Sequence, residues 1–257
     1  MFEVIFAKRS GNIGADSASS KRSVEEIAEL RDHLQGRGGV VLVPGGGDGG
    51  RGREMVEKGM PTQYADTLGR LATVKNGIEL AASLSEAKVP HRLFIAKTMR
   101  YADEHGIGHV ELATPESLRA CLENGEAAVV TGGYGLNKQS TDAAGLQHAN
   151  DFQKAFPDAN VRVTKTTEFD GIFTSDPRQD DGARRYTRIS ADVMASSPAT
   201  NKGLDEVCQA LLRQPGAPLD MFVYGDGQHT LLEAVTQSDC GTFGTWVVRK
   251  SGLRVLA

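Results

Sequence analysis

Cysteine is scarce in this chain: Cys121, Cys208 and Cys240 stand far apart in 257 residues, with no CxxC pair. That argues against a disulfide framework and a zinc ribbon, and it fits a reducing compartment. Basic residues are not in excess, with 29 Lys and Arg against 33 Asp and Glu and a net charge of −4. They are dispersed, so nothing suggests a nucleic-acid surface, a localisation tag or a polybasic membrane patch. Long hydrophobic runs are missing too. No segment approaches the ~20 apolar residues of a membrane span, and MFEVIFAKRSG is too short and too charged for a secretory signal. We therefore expect a cytoplasmic protein that binds neither nucleic acid nor membrane. Internal repeats and low-complexity tracts are also absent.

What is present is an alternation. FEVIFA (Phe2–Ala7), VVLVP, HRLFIA, HVELA, AAVVTGG, VRVTKT, LDMFVYGD and GTWVVR read as short strands rich in β-branched residues. Helical patterns lie between them: Ser23–Leu34 with Ser23 as N-cap and Glu26 in a capping-box position, a long core helix over Ala65–Ala87, TPESLRACLENG capped by Thr114, STDAAGLQHANDFQKAF, and LDEVCQALLRQ. Strands alternating with helices predict a three-layer α/β/α sandwich around a mostly parallel sheet. We read residues 1–257 as a single domain, changing role near Pro157.

Four stretches carry chemistry. GGGDGG (Gly45–Gly50) formally satisfies G-x-G-x-x-G, but no strand and acidic residue follow as a dinucleotide fold requires, and no GK[ST] closes it as a P-loop. Its glycines can still bring backbone N–H groups to an anion, with Arg51 as clamp; a plain flexible turn is the alternative. TGGYGLNKQSTDAAG (Thr131–Gly145) is a second glycine-rich stretch leading into a helix, where the blander reading makes Asp142 the cap. KRSG places Lys8 at the end of the first strand, and DGIFTSDP sets Asp170 and Asp176 around Phe173. A lysine, carboxylates and two anion loops at strand ends are the equipment of phosphoryl transfer.

These stretches, together with GMPTQYADTLGRLATVKNG (Gly59–Gly77) and KGLD (Lys202–Asp205), resemble the bacterial-type UMP kinases of the amino-acid kinase superfamily over nearly the whole chain. The resemblance implies ATP-dependent phosphorylation of UMP, with Mg²⁺ arriving on ATP and a homohexameric assembly. It implies an acceptor half up to about residue 157 and an ATP half over about 158–257. Lys8 would neutralise the transferred phosphoryl group, oriented by Asp170, with Arg51 also catalytic. Gly46, Gly47, Arg51 and Gly52 would hold the acceptor phosphate and Asp66 its ribose, with Gly133, Gly135, Thr141 and Asp142 also on the acceptor side. Ser10, Gly11, Lys165, Phe173, Asp176 and Asp205 would serve ATP.

The chain departs from the family pattern at ligand-facing positions. Leu136–Gln139 stand for N-P-F-F, Tyr134 for a small Thr, Glu168 for a Lys, Asn12 for a Glu and Arg70 for an apolar residue. A kinase of another phosphate- or carboxylate-bearing acceptor, and a non-catalytic nucleotide- or anion-binding or storage protein of the same fold, therefore stay open beside UMP; a dehydrogenase is remote. His105, His109, His229, Trp246, the cysteines and the basic ARRYTR (Ala183–Arg188) are read as surface, turn or packing residues.

Overall fold

The computed structural model describes residues 1–9, 18–47, 52–95, 111–134, 140–196, 204–214, 219–237, 242–248 and 254–255. Its strands are β1 (Glu3–Arg9), β2 (Gly38–Pro44), β3 (His91–Ile95), β4 (Glu111–Leu112), β5 (Ala127–Thr131), β6 (Asn160–Thr167), β7 (Tyr186–Ser190), β8 (Met221–Gly225), β9 (Thr245–Val248) and β10 (Arg254–Val255). The helices are α1 (Ala18–Leu34), α2 (Gly52–Glu57), α3 (Thr62–Glu86), α4 (Pro115–Glu123), α5 (Thr141–Ala155), α6 (Ala191–Ser196), α7 (Glu206–Arg213) and α8 (Leu231–Thr236).

The strands form one sheet in the order β10-β7-β9-β8-β6-β1-β2-β5-β3-β4. Pairing is parallel except between β8 and β9 and between β10 and β7. The centre is apolar on both faces, as a sheet covered by helices requires. Val4, Phe6, Val41, Val43, Ala128 and Val130 face α4, α5, α6 and α7. Ile5, Ala7, Val40, Leu42, Ala127 and Val129 face α1, α3 and α8. This is the three-layer sandwich expected from the alternation. No described helix is long and apolar enough to cross a membrane.

Three local readings need correction. Ser23 does not cap α1: the helix begins five residues earlier, Ser23 is buried inside it, and Glu26 pairs with Arg9. The cap of α5 is Ser140, whose side chain accepts from the Ala143 N–H (3.1 Å), which frees Asp142 for other work. ARRYTR is not a solvated face: it runs into β7, where Tyr186, Thr187, Ile189 and Ser190 are buried. Its arginines masked a strand of which only Arg188 is exposed. Thr114 caps α4 as expected, in a capping box closed by Ser117.

Candidate active site at the carboxyl ends of the central strands

Alternation along β1 puts Lys8 on the same face as Val4 and Phe6, and alternation along β6 does the same for Lys165 after Val161 and Val163. The parallel register pairs Lys8 with Lys165 directly. Two ammoniums side by side at the end of a sheet repel, and α5 supplies the answer. Asp142, in its first turn, takes Lys8 Nζ on Oδ1 at 2.9 Å and Lys165 Nζ on Oδ2. Asp142 and Lys165 are buried and the Lys8 side chain is 10% exposed. Burial lowers the pKa of the Lys8 ammonium from its ordinary value and Lys165 pushes the same way, while Asp142 opposes them. Burial alone would raise Asp142, but the charges of Lys165 and Lys8 outweigh it and hold the carboxyl well below the usual range.

The expected contact between Asp170 and Lys8 is therefore made by Asp142. Asp170 lies after β6, where Oδ1 accepts from the amides of Gly225 (3.3 Å) and Gly244 (3.1 Å), and Arg185 stands 3.8 Å from Oδ2. It ties β8, β9 and the β6–β7 connection together. Sequence alone could not say which carboxylate reached the lysine.

The first glycine loop starts directly over Lys8. Gly45 N–H donates to the Arg9 carbonyl (3.0 Å), and a Cβ at Gly45 would lie 3.8 Å from both Lys8 Nζ and Thr141 Oγ1. Gly46 and Gly47 follow, Gly47 with φ +63°. Asn76 Nδ2 holds the Gly45 carbonyl (2.7 Å), and Thr73 Oγ1 accepts the Gly132 N–H (3.1 Å) of the second glycine turn. Gly77 lets α3 come this close, since a Cβ there would meet Thr131 Cβ at 2.9 Å. The A-T-V-K-N-G run thus staples both glycine turns to one helix, a role the sequence reading gave to none of its residues. The hydrogen-bonding types at i and i+3 in a core helix were the available signal.

Across the lysines, Ser140 donates to Asp205 Oδ2, while Asp205 Oδ1 accepts from Val207 and Cys208 N–H at 2.9 and 3.0 Å as the cap of α7. The N-termini of α5 and α7 therefore meet at the lysine pair, adding their dipoles to its positive charge. The structure brings together Lys8, Thr141, Asp142, Lys165 and Asp205, with Gly45 leading to Gly46 and Gly47. Asp66 is half-buried in the second turn of α3, and Gly133 carries φ +79° beyond β5.

Phe173 and Asp176 sit apart from this cluster in the turn after β6. Phe173 bridges to Arg185 and meets Phe169 edge-on at 6.2 Å. Asp176 takes Arg178 through Nε (3.1 Å) and Nη2 (3.0 Å), and Glu168 lies 3.6 Å from the same guanidinium. Arg178, unremarked in the sequence, so supplies a cation beside Glu168. Ser10, Gly11, Arg51 and Gly135, Asn12 and Leu136–Gln139, His105 and His109, Lys202 and Cys240 lie outside the described residues, and of Gly52 only its place at the start of α2 is described.

The sequence model of the amino acid kinase family matches residues 3–215. The chain is 30% identical over 184 residues to a uridylate kinase of Rhodopseudomonas palustris, covering 71% of each. It is 28% identical to a uridylate kinase of Paenarthrobacter aurescens, over 91% of this chain and 88% of that one. Among solved structures, a UMP kinase from Bacillus anthracis superposes with a TM-score of 0.76 at 20% identity, over 99% of this chain and 98% of that one. That superposition extends the likeness in fold to nearly the full length of both chains.

Proposed function

The chain belongs to the amino acid kinase family, and we propose that it transfers the γ-phosphoryl group of ATP to a nucleoside monophosphate, UMP first. The observation that carries this reading is the Lys8–Asp142–Lys165 cluster at the meeting point of two helix N-termini. Asp142 holds both ammoniums side by side where two helix N-termini converge, so lysines and helix dipoles can meet a phosphoryl group in flight. The transfer is in-line without a covalent enzyme intermediate, and catalysis rests on positioning and charge neutralisation.

In this reading Lys8 and Lys165 draw charge from the transferred group, and Asp142 fixes where their ammoniums stand. Gly46, Gly47, Arg51 and Gly52 receive the acceptor phosphate and Asp66 its ribose; Gly133, Gly135 and Thr141 close the acceptor side. Ser10, Gly11, Phe173, Asp176 and Asp205 serve ATP. Among the described residues no three His, Cys, Asp or Glu side chains are grouped to hold a metal ion. Both oxygens of Asp142 are engaged by lysines. This donor set suits Mg²⁺ carried mainly by phosphate oxygens, which needs only one or two carboxylates from the protein. When bound, the ion would draw charge from the phosphate oxygens.

We also read the chain as a homo-oligomer, a hexamer by resemblance. Among the described residues the exposed large hydrophobics other than Met1 all lie on α2 and α3: Val56, Tyr64, Leu68, Leu71 and Ile78. Such a stripe calls for a covering surface, and light scattering of the purified chain tests it.

The test of function is ADP release from Mg·ATP with UMP, CMP, dTMP, AMP and GMP, beside a Lys8→Ala control. Turnover with UMP that collapses in the control is the expected result. Turnover with another acceptor alone would move the substrate. ATP binding without turnover across the panel would overturn the reading in favour of a binding protein or a different acceptor class.

A further inference from the structure

The second glycine turn is anchored on both sides, and one anchor is a side chain that the catalytic reading leaves unused. Gly132 and Gly133 run through left-handed conformations, φ +84° and +79°, which glycine adopts without strain and which leave it many alternatives. On one side the Gly132 N–H is held by Thr73 of α3. On the other, the half-buried Tyr134 ring meets His148 of α5 edge-on, 4.8 Å between centroids and 83° between planes. Its phenol donates to Asp151 Oδ2 of the same helix. Gln147 Nε2 donates to Asp151 Oδ1 (3.1 Å), so each oxygen of that carboxylate is held.

We propose that Tyr134 is a positioning residue for the acceptor: by tying the glycine turn to Asp151, it fixes the backbone of Gly133 relative to the start of α5 and so sets acceptor affinity. This rests on the reading of the Gly133 turn as part of the acceptor side. The helix that carries Asp142 to the lysines carries Asp151 to the turn, so one rigid element registers the acceptor against the phosphoryl site. Without the anchor, two glycines in sequence would have to be ordered by the acceptor itself, and that entropy is subtracted from its affinity. The hydrogen bond suits the task, being made to a carboxylate. Burial, then Asp151, pushes the Tyr134 phenol up to about 12, so it remains a donor throughout the neutral range.

The experiment is steady-state kinetics of Tyr134→Phe, which keeps the ring and removes the donor. Hydrogen exchange of the peptide Thr131–Tyr134 is measured in parallel. We expect the acceptor KM to rise about tenfold, the size of effect one lost hydrogen bond to a charged group produces. The KM for ATP and kcat should stay within about twofold, as for a change outside the reacting centre. Exchange in the peptide should accelerate, while the melting temperature holds. Asp151→Asn, which keeps an acceptor oxygen, should fall between wild type and Asp151→Ala, and Tyr134→Phe should add little to Asp151→Ala. An unchanged acceptor KM, or equal shifts in both substrates with a fallen melting temperature, would overturn the proposal. If the wild type turns over none of the five acceptors, the functional reading fails by itself. The exchange then still decides whether Tyr134 holds the turn, and unaltered exchange refutes that too.

Discussion

Lys8 and Arg9 are adjacent in one strand, and their surroundings could hardly differ more. Lys8 points to the α5 face, where Asp142 serves two ammoniums at once. Arg9 points to the α1 face, only 2% exposed, with Glu26 at 2.6 Å and Asp226 at 3.5 Å. Arg22 joins Asp226 at 2.9 Å, so two guanidiniums meet two carboxylates and the charges cancel. The first cluster, with Asp142 between the lysines and Asp205 nearby, lies at the meeting of two helix ends. The second is closed, with Tyr224 as a further neighbour of Arg9 at 3.4 Å. The period-two alternation of a strand thus separates a lysine of the candidate site from a structural rivet within one residue step. Charge alone marks neither; what distinguishes the first is its place at two helix N-termini.

The largest expected effect breaks this comparison from the lysine side. Lys8→Ala should lower kcat by about a thousandfold or more, as loss of a preorganised charge at the transferred group does. Its melting temperature should barely move, because Asp142 keeps Lys165. Arg9→Ala should do the reverse. It leaves Glu26 buried without its main partner, at a cost of about 3–5 kcal/mol, while kcat per folded molecule changes little. Calorimetry and initial rates on the same two preparations check both. If Arg9→Ala were the inactive one and Lys8→Ala the unstable one, the assignment of the two faces would be inverted.

Acid sharpens the contrast, because the two central carboxylates are displaced in opposite directions. Asp142 is depressed, so its stabilising contribution is fully present above the ordinary aspartate value near ~4 and is lost as pH falls toward the depressed one. Burial, resisted by Arg9, leaves Glu26 raised. Between the ordinary glutamate value of about 4.3 and that raised one, the folded state holds the extra proton, so stability falls as pH rises through the window. Denaturant midpoints across acid pH should therefore show Asp142→Asn removing an acid loss, and Glu26→Gln removing a loss on the alkaline side of its window. Two variants with the same pH slope would refute the opposition.

Sequence reasoning reached the strands, the layers and the lysine at the end of β1, because period-two burial and glycine turns are local signals. It also named Lys165 and Asp205, which the structure gathers beside Lys8. It missed that Asp142 stands between the lysines, since that depends on β6 lying beside β1 and on Ser140, two residues earlier, taking over the cap. It missed the rivet as well. Arg9, Glu26 and Asp226 are distant in sequence, and Glu26 offered a tempting local role in a capping box. Local patterns revealed elements, and the pairing of charges came from topology.

A smaller effect probes how the two glycine turns are held to one helix. Gly77→Ala adds a Cβ 2.9 Å from Thr131 Cβ, backbone-proximal on both sides, so α3 must shift. We expect a loss of about 1–3 kcal/mol in stability and a rise in acceptor KM greater than that for ATP, measured by denaturant unfolding and by kinetics. Equal changes in both KM values would mean that α3 supports the sheet without registering the loops.

The smallest expected effect concerns Glu168, the substitution that most clouded a catalytic reading of the sequence. An anion beside a nucleotide triphosphate should repel it, yet this side chain is 69% exposed and sits 3.6 Å from Arg178. The guanidinium is shared with Asp176, which it meets through two nitrogens, and it lies 5.4 Å over the Phe169 ring. Exposed pairs of this kind contribute about 0–1 kcal/mol, and the field of Glu168 is already answered by its neighbour. Glu168→Ala should therefore alter the KM for ATP by no more than about twofold, with less change still at high salt. Where Asp176 serves ATP as proposed, Arg178→Ala should weaken ATP binding more, because it removes the cation that Glu168 and Asp176 share. If Glu168→Ala instead tightened ATP tenfold or restored a lost activity, the pair would not be neutral, and the phosphate-facing charge of this half would have to be recounted without Arg178.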